Sequence, residues 1–154
     1  MSERFMVSKE LKFEAAHRLI NGYPGNCKNI HGHSYIAIVE MGLSSKATLN
    51  KYGFVKDFGD FKDLRKWVDD NWDHAFLVNI ADDSMIRFLR EEEQRHYIFK
   101  DNPTAEHMCI ILFDIASQIL NDVCSTVTSV KIYETTTSEA VYRPSLVSQY
   151  AHRE

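Results

Sequence analysis

The sequence predicts an α+β fold in which an antiparallel sheet is covered on one face by helices. Two long stretches near the N-terminus have strand character, the middle of the chain shows helical spacing, and β-branched segments return near the end. Helices interspersed with strand pairs, without strict β–α–β alternation, favour an antiparallel sheet over a parallel one.

Each element has its own local signal. Residues 4–13 and 32–43 read as strands, joined by a loop that holds Asn21-Gly22, Pro24-Gly25 and Cys27. Residues 53–58 read as a short strand, after which Asp60 offers an N-cap to a helix with Phe61, Leu64, Trp67 and Val68 on one stripe, ending near Asn71. Residues 82–94 read as a second helix with Met85, Ile86 and Leu89 inward. Thr104 caps a third: Pro103 disfavours the α conformation at Asn102, and the apolar run 108–120 follows at helical spacing, stopping near Asp122. Residues 127–135 alternate and are rich in β-branched side chains, and 140–142 make a short return strand. Glu91-Glu92-Glu93 reads as a solvated helix face, Trp67 and Trp72 as core or interface, and Cys109 and Cys124 as small core residues.

Composition bounds the class. A chain of 154 residues, 44% hydrophobic and 26% charged, has the balance of one globular domain spanning 1–154. Its longest apolar run, near residues 110–113, is far short of the roughly 18 residues of a membrane span. A net charge of −4 argues against a broad nucleic-acid surface, because phosphate affinity needs clustered Lys and Arg. Three cysteines and no apolar leader-like stretch lead to the expectation of a cytoplasmic protein with reduced thiols.

Chemistry concentrates around His31-Gly32-His33. On a strand, the period of two puts both imidazoles on one face, and His17, which follows the preceding strand, is placed to supply a third from across the ladder. Three neutral nitrogens with an open fourth position suit a catalytic zinc, whereas structural zinc sites are closed by four ligands. A lone H-x-H is equally compatible with packed or solvated histidines. Here Cys27 adds a nucleophile or base, and Asp73-His74 an activating pair. Without the metal, Cys27, His74 and Asp73 are compatible with a Cys-His-Asp hydrolase.

Five motifs occur in one order: Phe13-Glu14-Ala15-Ala16-His17; Cys27 three residues before His31-Gly32-His33; Asp73-His74 followed by Leu77 and Asn79; Pro103-Thr104-Ala105-Glu106; and Tyr133-Glu134-Thr135. Together they resemble the 6-pyruvoyltetrahydropterin synthase superfamily over about residues 5–143. The three-residue gap between Cys27 and His31, with Pro103-Thr104-Ala105-Glu106, is similar to a bacterial branch of queuosine (7-deazaguanine) biosynthesis.

That resemblance implies a tunnelling fold: a four-stranded antiparallel sheet with helices on one face, closing into a barrel as trimers that pair into homohexamers. It implies active sites between subunits. It assigns His17, His31 and His33 to Zn2+, which polarises the substrate side-chain hydroxyls. It assigns Cys27, Asp73 and His74 to catalysis, since a free thiol needs a nearby base or positive charge to accept a proton at neutral pH. Glu134 becomes the pterin anchor, its carboxylate accepting the 2-amino and N3–H edge. Thr104 and Glu106 form a second recognition segment at a helix start, where Glu106 also reads as a first-turn carboxylate. The implied substrate is 7,8-dihydroneopterin triphosphate. The implied products are 6-carboxy-5,6,7,8-tetrahydropterin, acetaldehyde and triphosphate; the alternatives are 6-pyruvoyltetrahydropterin or a non-catalytic zinc and pterin-binding module. Lys12, Arg18, Lys28, Lys100 and Arg143 are candidates for the triphosphate. Residues 80–97 depart from the compact pattern and read as an added helix at the rim of the site or oligomer.

Overall fold

Alternation along two strands decides which way the sheet faces. In the computed structural model, which describes residues 5–145, Leu11, Phe13, Ala15 and His17 are buried along β1 (Met6–His17), as are Tyr35, Ala37, Val39 and Met41 along β2 (His31–Leu43). The two pair antiparallel from Met6 opposite Gly42 to His17 opposite His31. The free edge of β2 takes β5 (Ser125–Thr135), which takes β6 (Ser138–Tyr142), both antiparallel. Against the buried face lie α1 (Lys62–Asn71), through Leu64 and Val68, and α3 (Ala105–Leu120), through Met108, Cys109, Leu112, Ala116 and Leu120. Each such fully buried Leu or Met contributes about 1.5–3 kcal/mol.

The sheet corrects the expected four antiparallel strands. It has six, in the order β4-β3-β1-β2-β5-β6, and β3 (Ala75–Asn79) runs parallel to β1 while β4 (His96–Phe99) runs parallel to β3. Nor do all helices share one face. On β3, Ala75 and Leu77 lie opposite Ala15 and His17 and share their core face, whereas Val78 packs with Met85, Ile86 and Leu89 of α2 (Asp83–Glu91). With both faces covered, β3 is an unbroken apolar run rather than an alternating one, and β3–α2–β4 is a β–α–β unit.

Residues 53–58 are not a strand. Gly53 has φ +84, and Asn50 ties the segment into a turn: its side-chain oxygen accepts the Tyr52 and Phe54 N–H groups, its carbonyl that of Gly53. Those donors are therefore spent locally and cannot pair with a ladder. Asp60 does not cap α1. Asp57 instead accepts the Gly59 N–H at the start of a short 3-10 turn, Phe58–Phe61, that leads into the helix.

The other helix starts match the sequence expectation. Asp82 accepts the Met85 N–H at the start of α2, and Thr104 accepts that of His107 at the start of α3. Arg18 grips both Asp82 oxygens at 2.7 Å, pinning α2 to the end of β1. Cys109 is core, but Cys124 is exposed, because it sits in the turn where Asp122 accepts the Cys124 and Ser125 N–H groups. Among the described residues no helix is long and apolar enough to cross a membrane.

Candidate active site and metal centre

His17, His31 and His33 come together at the end of the main core, one ring nitrogen from each within 4.8 Å of the others. Backbone carbonyls set two of the rings: His17 Nδ1–H donates to Pro103 O and His31 Nδ1–H to Asn29 O, each at 2.8 Å. In the neutral rings the Nε2 atoms then carry lone pairs, yet those of His17 and His31 face each other at 3.0 Å. Two acceptors this close are reconciled by a metal ion or a shared proton between them. His33 Nε2 is buried and has no hydrogen-bond partner. Burial pushes the His17 and His33 imidazoles down, toward the neutral form a metal requires. This donor set fits a zinc ion with an open position. Gly32 belongs to the same design, since a Cβ there would meet Ala15 O at 3.2 Å.

A pair of asparagines behind the cluster holds His17 in place, a role the sequence analysis does not assign them. Asn102 pairs its side-chain amide with the Ile20 backbone (3.1 and 3.2 Å) and accepts from buried Asn79 (3.1 Å), fixing the segment whose next residue, Pro103, receives the His17 proton. The sequence signal was slight: two asparagines at element ends.

On the same face, Glu134 lies beside the imidazoles, its Oε1 3.5 Å from His17 Nε2 and 3.7 Å from His33 Nε2. Tyr35 follows His31 and His33 on the period-two stripe, and the sequence analysis assigns it no role. Its ring stands edge-on to His33 at 5.3 Å. Burial first, then the neighbouring Glu134 and Cys27, push the phenol up. Cys27 lies in the short 3-10 turn Asn26–Lys28, half-buried, its carbonyl accepting the Leu19 N–H.

Asp73 and His74 belong elsewhere in the chain. His74 sits just past α1 at φ +53, a left-handed position that favours Gly and costs another residue about 1–2 kcal/mol. Its Nδ1 meets Asp73 Oδ2 at 2.9 Å, while Asp73 Oδ1 accepts the Glu14 N–H at 2.8 Å. Burial alone would push the Asp73 carboxyl up; the hydrogen bonds from Glu14 and His74 overcome it and hold the group below its usual range. His74 faces a groove of about 550 Å³ on the α2 side of the sheet, lined also by Glu14, Ser34, Phe76, Phe88 and Arg95. The imidazole cluster and the Asp73-His74 pair thus lie mainly on opposite faces of the β1–β2 ladder, with His33 also contributing to the groove's lining.

Thr104 is spent as the α3 cap, and Glu106 is exposed in the first turn with no hydrogen bond to the imidazole cluster. Of the candidate phosphate-binding bases, Arg18 is held by Asp82 and Lys12 lies beside Glu10, whereas among the described residues Lys28, Lys100 and Arg143 enter no ion pair.

Fold and cluster together define a pterin-synthase-like protein. Residues 6–145 match the family "6-pyruvoyl tetrahydropterin synthase", and the chain belongs to that family. Among its relatives is the 6-carboxy-5,6,7,8-tetrahydropterin synthase of Rickettsia bellii, 34% identical over 83% of this chain and 92% of that protein. The protein of the same name from Haemophilus influenzae is 30% identical over 90% and 99%. The fold matches an uncharacterized protein of Wolinella succinogenes with a TM-score of 0.80 at 19% identity, covering 94% of this chain and 100% of that one. It also matches the 6-pyruvoyl tetrahydropterin synthase of Caenorhabditis elegans, with a TM-score of 0.67 at 22% identity over 93% and 97%.

Proposed function

We propose that this chain is a single-domain, cytoplasmic, zinc-dependent lyase that converts 7,8-dihydroneopterin triphosphate to 6-carboxy-5,6,7,8-tetrahydropterin, releasing acetaldehyde and triphosphate, in queuosine biosynthesis. The observation that carries the reading is the convergence of three imidazole nitrogens beside Glu134, in a chain whose relatives bear the name of that activity. His17, His31 and His33 hold the ion, which when bound supplies Lewis-acid polarisation of the substrate's side-chain hydroxyls. Glu134 accepts the amino and N3–H edge of the heterocycle and thereby places the side chain over the cluster. Cys27 and His74 take and return protons, with Asp73 holding the His74 Nδ1–H so that Nε2 faces the groove. Thr104 and Glu106 flank the pocket at the start of α3.

Cys27 and His74 act in one site when the His74 groove of one subunit meets the metal face of a neighbour. Two features support such assembly. The outer edge of β1 is paired with β3 only over residues 15–17, with Arg65, Asp73 and His74 reaching just the Lys12 and Glu14 backbone, and β6 ends the sheet, so both edges offer a place for a neighbouring strand. Phe5, Met6, Tyr52 and Phe58 are exposed around the start of β1 and the 49–58 loop, apolar surface suited to burial against another copy. We assign a homohexamer built from two trimers.

Incubating the zinc-loaded protein with 7,8-dihydroneopterin triphosphate and weighing the products by mass spectrometry tests the reading. The expected products are 6-carboxytetrahydropterin and acetaldehyde. Accumulation of 6-pyruvoyltetrahydropterin without acetaldehyde, or no consumption of substrate, would sink it.

A further inference from the structure

The β2–β5 register sets Ile36 opposite Tyr133, so Tyr35 and Glu134 are cross-strand neighbours. The Tyr35 ring is fully buried and locked, stacked on Phe13 at 5.1 Å and 12° on one side and edge-on to His33 on the other. Its hydroxyl is buried too, yet it has no hydrogen bond of acceptable geometry. Leaving a buried phenol unpaired is costly, and a Phe would fill the same volume without that cost. The hydroxyl therefore calls for a partner, and the carboxylate across the ladder is the acceptor placed to be one.

We propose that the Tyr35 hydroxyl is a positioning group for Glu134: it donates to the carboxylate, keeps it turned toward the heterocycle and keeps it off the imidazole nitrogens. A phenol is protonated at neutral pH and can donate, and an ionised carboxylate has about four lone-pair sites, enough for Tyr35 and for both bonds from a pterin edge. Without that restraint Glu134, already 3.5 and 3.7 Å from two of the imidazole nitrogens, is free to become a fourth ligand. That would close the position a substrate hydroxyl needs.

This inference rests on the pterin-anchoring role proposed for Glu134, so its test carries a control for that role. Full-length Tyr35→Phe, which keeps the ring packing, and Glu134→Gln are each loaded with zinc and titrated with neopterin, a fluorescent pterin without the triphosphate. Cobalt-substituted samples report coordination through their visible bands. Tyr35→Phe is expected to bind neopterin about five- to tenfold more weakly without a lower melting temperature, and to shift its cobalt bands as Glu134 enters the coordination sphere. Neopterin affinity within twofold of the parent overturns the assignment, whatever the melting temperature. If Glu134→Gln also binds normally, the anchor reading falls with it; if Glu134→Gln fails to bind while Tyr35→Phe binds normally, only the Tyr35 assignment falls.

Discussion

In the proposed reaction the two faces of the β1–β2 ladder carry different halves of the chemistry. One face continues the main core: its stripe runs from Leu11 and Phe13 into His17, and from Val39 and Ala37 through Tyr35 into His33 and His31, so the metal cluster is the polar end of an apolar stripe. The other face carries Glu14 and Ser34, hydrogen-bonded at 2.7 Å, and opens into the groove beneath α2 where His74 sits three-quarters exposed. Rigid packing positions the nitrogens that converge within ångströms, whereas the Asp73-His74 pair is displayed on a turn at the groove. The contrast fits the proposed reading, in which a single chain offers two half-sites rather than one pocket.

The sharpest separation comes from removing members of each half. His31→Ala or His33→Ala is expected to lower bound zinc well below one per chain, measured by metal analysis, and to abolish turnover. Cys27→Ala and His74→Ala are expected to keep their zinc while losing about 10²–10⁴-fold in turnover. A His74→Ala protein that loses its metal would erase the distinction between the faces. Chelation followed by zinc addition should remove and restore turnover, against the metal-free hydrolase alternative.

Smaller effects probe the scaffold on each side. Arg18→Ala removes the two bonds that pin α2 and leaves Asp82, itself nearly buried, with only Ser84 and the Met85 N–H; about 1–3 kcal/mol of stability should go, read by denaturant unfolding. Arg18 and the other bonds to Asp82 hold its carboxyl below the usual range, so its contribution is present above about pH 3.9 and lost as pH falls through the lower folded value. Asp122 behaves alike: burial pushes it up, but Lys56 and the Cys124 and Ser125 N–H groups prevail and hold it at about 2. The melting temperature should therefore fall between about pH 4 and pH 2, and Asp122→Asn should flatten that limb, by a modest amount because the group is partly exposed.

How much of this was legible before the structure depends on which face a residue uses. Period two along β2 pointed to His31 and His33 on one face, with His17 set across from them, and the Thr104 cap is local chemistry that sequence shows directly. Strand β3 was missed because Phe76 and Val78 serve one core while Ala75 and Leu77 are buried on the other face, which erases the alternation that marks a strand, and the stretch 80–97, read as an added helix, is α2 over Asp83–Glu91 followed by the start of β4. Tyr35 was hidden for the opposite reason: in an alternating apolar stripe a tyrosine looks like filling, and only the cross-strand register reveals Glu134 beside it. Asp73-His74 was visible as a pair, but that it faces away from Cys27's side of the sheet is a property of three-dimensional pairing.

The half-site account meets its most direct test in subunit mixing. Cys27→Ala and His74→Ala chains, each inactive alone, are co-expressed with distinct tags, and doubly tagged assemblies are assayed for acetaldehyde release from 7,8-dihydroneopterin triphosphate. Turnover should return, because some interfaces then join an intact metal face with its Cys27 to an intact His74 groove. Mixed assemblies no more active than the parent variants would contradict the division of the site between neighbouring subunits.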